Sequence, residues 1–99
     1  MDISLITKLE LQYNNHVFAA SCFKFNQKIM FSFQVPPLEK EQSLCEELSK
    51  SRGRTLSLLL NKVPFTVTID TCSFSKTEDN MYFRDFNIIV LNQFILQPN

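Results

Sequence analysis

The sequence predicts an α+β domain of mainly antiparallel β structure, with about six strands, three before and three after one central helix. Apolar and polar residues alternate with a period of two in the first and last thirds of the chain, as expected of half-buried strands. Between these thirds lies one segment, 38–51, whose apolar residues follow the spacing of a helix. A length of 99 residues allows a single domain, 1–99, which we expect to be a small barrel or a sandwich.

Two asparagine-containing turns are predicted to join the first three strands. Asn14-Asn15 and Asn26-Gln27 can each form a two-residue turn, because asparagine tolerates the positive φ angles that such turns require. The first strand then covers 3–13. The register that both turns impose gathers nine apolar side chains on one face: Leu9, Leu11, Phe18, Ala20, Cys22, Ile29, Phe31, Phe33 and Val35. A slip of one residue in either turn would divide this set between the two faces.

The central helix is predicted to lie between a pair of prolines and the only glycine. Pro36-Pro37 end the third strand, because proline cannot donate a hydrogen bond to a sheet. Gly53 occupies the position of a C-terminal glycine cap. The side of the helix that would face the sheet is narrow and consists of Leu44, Cys45 and Leu48.

The last third of the chain is predicted to form a hairpin and a final strand. Alternating leucines over 54–60 and a turn at Asn61-Lys62 predict a fourth strand and a fifth over 63–75, with a short helix over 55–62 as the alternative. After a polar loop, a strand or a bent pair of strands covers 81–96. Its apolar residues fall on both faces, which is typical of a strand at the centre of a sheet or at an interface.

Composition argues against several classes of function. Ten Lys and Arg balance ten Asp and Glu, whereas proteins that bind nucleic acids usually carry a basic excess, so we expect nucleic acid to be an unlikely partner. Three widely spaced cysteines form no CxxC pair and are expected to stay reduced in the cytoplasm. His16 is the only histidine, which disfavours a catalytic zinc site. We expect no signal peptide, membrane span, metal or cofactor.

Catalysis is also disfavoured by the spacing of the nucleophilic and acidic residues. Cys22 and His16 lie six residues apart on one predicted strand, a distance of about 20 Å, which is too long for a Cys-His nucleophile pair. The adjacent acidic residues Glu46-Glu47 and Glu78-Asp79 lie in polar segments, where no apolar surroundings would raise a carboxyl pKa for acid–base catalysis. We therefore expect that the protein is not an enzyme.

The aromatic residues supply the main functional hypothesis. Phe23, Phe25 and Met30 fall on the opposite side of the strands from the predicted core face. A second aromatic group is Tyr82, Phe83 and Phe86. Surplus apolar surface marks interaction sites, so these residues are candidate contacts of a non-enzymatic adaptor or assembly module. The partner would be another protein or a second copy, in a homodimer or a larger assembly. Alternatively, the two halves of the chain bury both faces internally.

A basic cluster supplies the alternative hypothesis. Lys50, Arg52 and Arg54 surround Gly53, and arginines beside a glycine loop suit an anion. A small barrel could then bind a nucleotide or oligonucleotide with the help of nearby aromatic residues. The cluster follows the C-terminus of the predicted helix, however, where the helix dipole repels anions.

The composition also indicates the kind of gene that encodes the chain. Abundant Phe, Asn, Ile and Lys with scarce Gly and Ala are typical of AT-rich genes of viruses, mobile elements and acquired islands.

Overall fold

The computed structural model describes residues 7–91, apart from the side chain of Phe25, and over this range it contains six strands and one helix. In chain order these elements are β1 (Thr7–Tyr13), β2 (His16–Phe25), β3 (Lys28–Gln34), α1 (Glu39–Leu48), β4 (Thr55–Leu60), β5 (Val63–Lys76) and β6 (Phe83–Val90). All neighbouring strands are antiparallel, and the order β1-β2-β3-β6-β5-β4 closes into a barrel. The predicted class is confirmed, and of the two arrangements the chain adopts the barrel.

Three two-residue turns set the registers of the hairpins. Both residues of each turn have positive φ angles: Asn14 and Asn15 (49° and 65°), Asn26 and Gln27 (47° and 65°), and Asn61 and Lys62 (50° and 68°). Turns of this kind have a backbone twist that matches the twist of the paired strands. As predicted, Leu11 lies opposite Phe18 and Leu58 lies opposite Phe65. Because β4 pairs with β5 along its whole length, the alternative helix over 55–62 is wrong.

Parts of two predicted strands, 3–6 and 92–96, lie outside the described residues. The final strand is the single β6 over the described part of the chain, not a bent pair. It pairs with β3 on one side and with β5 on the other.

The helix is shorter than the sequence predicts. α1 begins after Pro36-Pro37 with two glutamates in its first turn, which suit the positive end of the helix dipole. It ends at Leu48 and is capped by Ser49, whose backbone keeps a right-handed helical conformation. Gly53 (φ +81°) therefore does not cap the helix. Its amide donates to the carbonyl of Ile69, so the glycine belongs to the turn that leads the chain into β4.

Side chains from every described strand and from α1 fill the interior of the barrel. This core consists of Leu11, Phe18, Ala20, Cys22, Ile29, Phe31, Phe33, Val35, Leu44, Cys45, Leu48, Leu56, Leu58, Leu60, Val67, Ile69, Phe83, Phe86, Ile88 and Val90. All nine residues of the predicted apolar face belong to this core or, in the case of Leu9, pack against it. The helix lies across the end of the barrel at which β3 ends and β6 begins, where Gln42 bonds to both Pro36 and Phe83. No helix among the described residues has the length and apolar character needed to cross a membrane.

Candidate protein-binding face

One row of apolar residues runs across the outside of the barrel. Cys22, Phe31 and Ile88 point into the core, so the residues that follow or precede them on the same strands point outward. The registers place Phe23 opposite Met30 and Met30 opposite Ile89, which aligns three apolar side chains across β2, β3 and β6. We call Phe23, Met30 and Ile89 the apolar row. Leu91, two residues after Ile89, adds a side chain that is 51% exposed.

Two of the sequence-predicted contacts lie in this row and one cannot be placed. Phe23 and Met30 are half-buried neighbours on the outer face, as the alternation predicted. The backbone of Phe25 pairs with Lys28 at the end of β2, but its side chain lies outside the described part of the structure. Sequence reasoning missed Ile89 and Leu91 as candidate contacts. The signal was present, because both residues lie on the second apolar side of the final strand.

The second predicted group of contacts is largely internal. Phe86 is fully buried and Phe83 is 5% exposed, so the expectation that these two rings contact a partner is wrong. Phe86 packs between Phe33 and Phe74, with ring centroids at 5.8 Å and 5.9 Å. Phe83 meets Phe74 edge to face at 4.9 Å. Tyr82 alone of this group lies at the surface, where it is 40% exposed.

A polar row runs parallel to the apolar row on the same outer face. Successive registers align one residue from each of five strands: Lys8, Ser21, Ser32, Asn87 and Ser73. We call these residues the polar row. The ammonium of Lys8 donates to Ser21 Oγ at 3.3 Å, and the amide of Asn87 donates to Ser73 Oγ at 3.1 Å.

A groove of about 510 Å³ lies along the polar row. It is lined by Lys8, Ala19, Ser21, Ser32, Phe33, Gln34 and Asp85. The groove exists because small side chains occupy β2 and β3 at its centre, whereas charged side chains stand at its two sides. Lys8 lies on β1 and Asp85 on β6, so the groove has a positive side and a negative side.

An ion pair stands beside the apolar row. Lys28 Nζ on β3 lies 2.8 Å from Asp70 Oδ2 on β5, although β6 lies between these two strands. The register shift between Ile69 and Thr71 leaves Asp70 without a partner residue on β6, in the manner of a β-bulge. Both charged side chains are partly exposed, so they form a polar rim next to Leu91.

The basic cluster offers an anion little besides side-chain charge. Lys50 is paired with Glu46 at 3.3 Å, while Arg52 and Arg54 are exposed. The backbone amide of Gly53 donates to Ile69, and that of Arg54 donates to Ser51. These two amides are therefore already used, in contrast to the free backbone donors of a phosphate-binding loop.

The thiols and the histidine do not form a nucleophilic pair. His16 Nδ1 lies 3.4 Å from Glu41 Oε1 and thereby links the start of β2 to α1. Burial raises the pKa of Cys45 to about 12, with smaller contributions from Cys72 and Glu41. Burial likewise raises the pKa values of Cys22 and Cys72 to about 11. Such thiols stay protonated at neutral pH and are poor nucleophiles. The described residues contain no cluster of His, Cys, Asp and Glu that could hold a metal ion.

Comparisons of the chain with protein-family models, with curated proteins and with solved structures gave no match. The geometry of the outer face is therefore the basis for assigning a function.

Proposed function

We propose that this protein is a non-enzymatic interaction or assembly module that binds a protein partner through the outer face of β2, β3 and β6. The observation that carries the proposal is the apolar row, which lies on the outside of a barrel whose interior is already filled. β6 is apolar on both faces, and its inner face packs in the core of the barrel. On its outer side Ile89 is already nearly buried within the chain at 9% exposure, whereas Leu91 is 51% exposed, and a bound partner would account for that exposed apolar surface.

The size of the apolar row fits a binding contribution of moderate strength. Burial of a large apolar side chain contributes about 1.5–3 kcal/mol when the side chain starts fully exposed. Phe23 and Met30 are half-buried in the free protein, and Ile89 is 9% exposed, so each has only part of this energy to gain. Leu91, at 51% exposure, has more to gain. The row would thus act as the apolar centre of an interface and not as a complete interface.

The surroundings of the apolar row fit the rim of such an interface. The Lys28–Asp70 ion pair lies on one side, and the hydroxyl and amide groups of the polar row lie on the other. A polar and charged rim around an apolar centre is the usual composition of protein–protein interfaces. Rim charges would mainly set which partner is accepted.

The three free thiols support a cytoplasmic location for this module. Reducing conditions keep cysteines unpaired, whereas oxidising compartments favour disulfides.

A comparison of two matched variants tests the proposal. Met30→Glu places a negative charge in the apolar row. Ser57→Glu places the same charge on the outer side of β4, a strand that pairs with β1 and β5 and is not adjacent to β2, β3 or β6. Each variant and the wild type are purified from the cells that naturally make the chain, and bound proteins are quantified by mass spectrometry. We expect Ser57→Glu to retain the partner and Met30→Glu to lose it by about tenfold or more, as for a charge buried at an interface centre. Equal recovery of every bound protein with both variants would contradict the proposal.

A further inference from the structure

We draw no further inference here: the strongest candidate, the apolar row of Phe23, Met30 and Ile89 across the outside of β2, β3 and β6, belongs to the site already described, and nothing in the described part of the chain shows what covers it.

Discussion

Gln42 connects α1 to the strands beneath it through three hydrogen bonds. Its amide nitrogen donates to the carbonyls of Pro36 (3.1 Å) and Phe83 (3.0 Å), and its amide oxygen accepts from the backbone N–H of Phe83 (2.7 Å). We predict that Gln42→Ala lowers the free energy of unfolding by about 2–3 kcal/mol, because partly buried backbone groups lose their partners. Gln42→Glu keeps the acceptor for Phe83 but sets a carboxylate oxygen against the carbonyls of Pro36 and Phe83, so it is expected to lose at least as much. Urea unfolding measures both, and an alanine variant as stable as the wild type would contradict this role.

The raised thiol pKa values predict a loss of stability in alkaline solution. Cys22 has a folded pKa of about 11 against an ordinary value of 9.0. Below pH 9 the thiol is protonated in both states, so its contribution to stability is complete. As the pH rises from 9 towards 11, the unfolded chain loses the proton while the folded chain keeps it, and the free energy of unfolding falls by up to about 1.4 kcal/mol per pH unit for this thiol.

A cysteine variant isolates this effect. Cys22→Ala is expected to be less stable at neutral pH, because it leaves a small cavity in the core, but to lose stability less steeply above about pH 9. Chemical unfolding at several pH values gives the two slopes. Parallel slopes for the wild type and Cys22→Ala would show that this thiol ionises equally in both states.

For single residues, alternation predicted the inner and outer sides of β2 and β3 correctly and groups the buried Phe86 with Ile88 and Val90, but it does not account for the burial of Phe83. These rings are three residues apart, so a regular strand would direct them to opposite faces. A register shift between Ser75 and Lys76 places Phe83 opposite Lys76 and Phe86 opposite Phe74. Both rings consequently enter the core. Nothing in the local pattern of the sequence reveals this irregularity, because it depends on which residues of β5 pair with β6.

Among the secondary-structure elements, the hairpin turns contain residues with positive φ angles, and this backbone strain can be relieved by substitution. Lys62 has a φ of 68°, although a residue with a Cβ atom pays about 1 kcal/mol in the left-handed region. We predict that Lys62→Gly raises the free energy of unfolding by about 0.5–1 kcal/mol, because glycine adopts this conformation freely. Ser43→Gly in the exposed middle of α1 is the matched control and is expected to lower stability by about 0.5 kcal/mol. Thermal unfolding measures both changes, and a destabilising Lys62→Gly would argue against the strain.

The strands and turns were largely predictable because the sequence patterns that indicate them involve residues close together in the chain. Asn14-Asn15 and Asn61-Lys62 lie between alternating segments, and each turn fixes the register of its hairpin. The end of α1 was less predictable. Gly53 suggested a cap, but the chain leaves the helix at Leu48 and uses the glycine four residues later than the Ser49 cap. Glycine is favoured both at a positive-φ position in a loop and at the C-cap of a helix, so the sequence does not distinguish these two roles.

For the molecule as a whole, closure of the barrel could not be predicted. It depends on pairing between strands that are distant in the chain, above all between β1 and β4. Within residues 7–91, the register at this seam pairs Leu11 with Leu60 and Gln12 with Leu59. Asn61 extends this short seam, because its amide donates to the carbonyl of Glu10 and its side-chain oxygen accepts from the Glu10 amide, both at 2.8 Å. A local reading identifies Asn61 as a turn residue and gives no sign of its second role.

The closed barrel also decides how the surplus apolar residues are interpreted. In a sandwich, both faces of the first three strands could have been internal. In the barrel, the core takes one face, and the row formed by Phe23, Met30 and Ile89 stays on the outside. The sequence indicated Phe23 and Met30 from their parity, whereas the row as a continuous feature emerged only from the pairing of β3 with β6.

Photo-crosslinking inside the living cell shows whether this outer face contacts another protein. A photoreactive phenylalanine analogue is placed at position 30 in the apolar row and, in a separate variant, at position 57 on the outer side of β4. Benzophenone-type groups react only with atoms a few ångströms away, so an adduct reports contact. We expect protein adducts from position 30, to a second copy or to another protein, and none from position 57. Folded protein that forms no adduct from position 30, or the same adducts from both positions, would contradict this expectation.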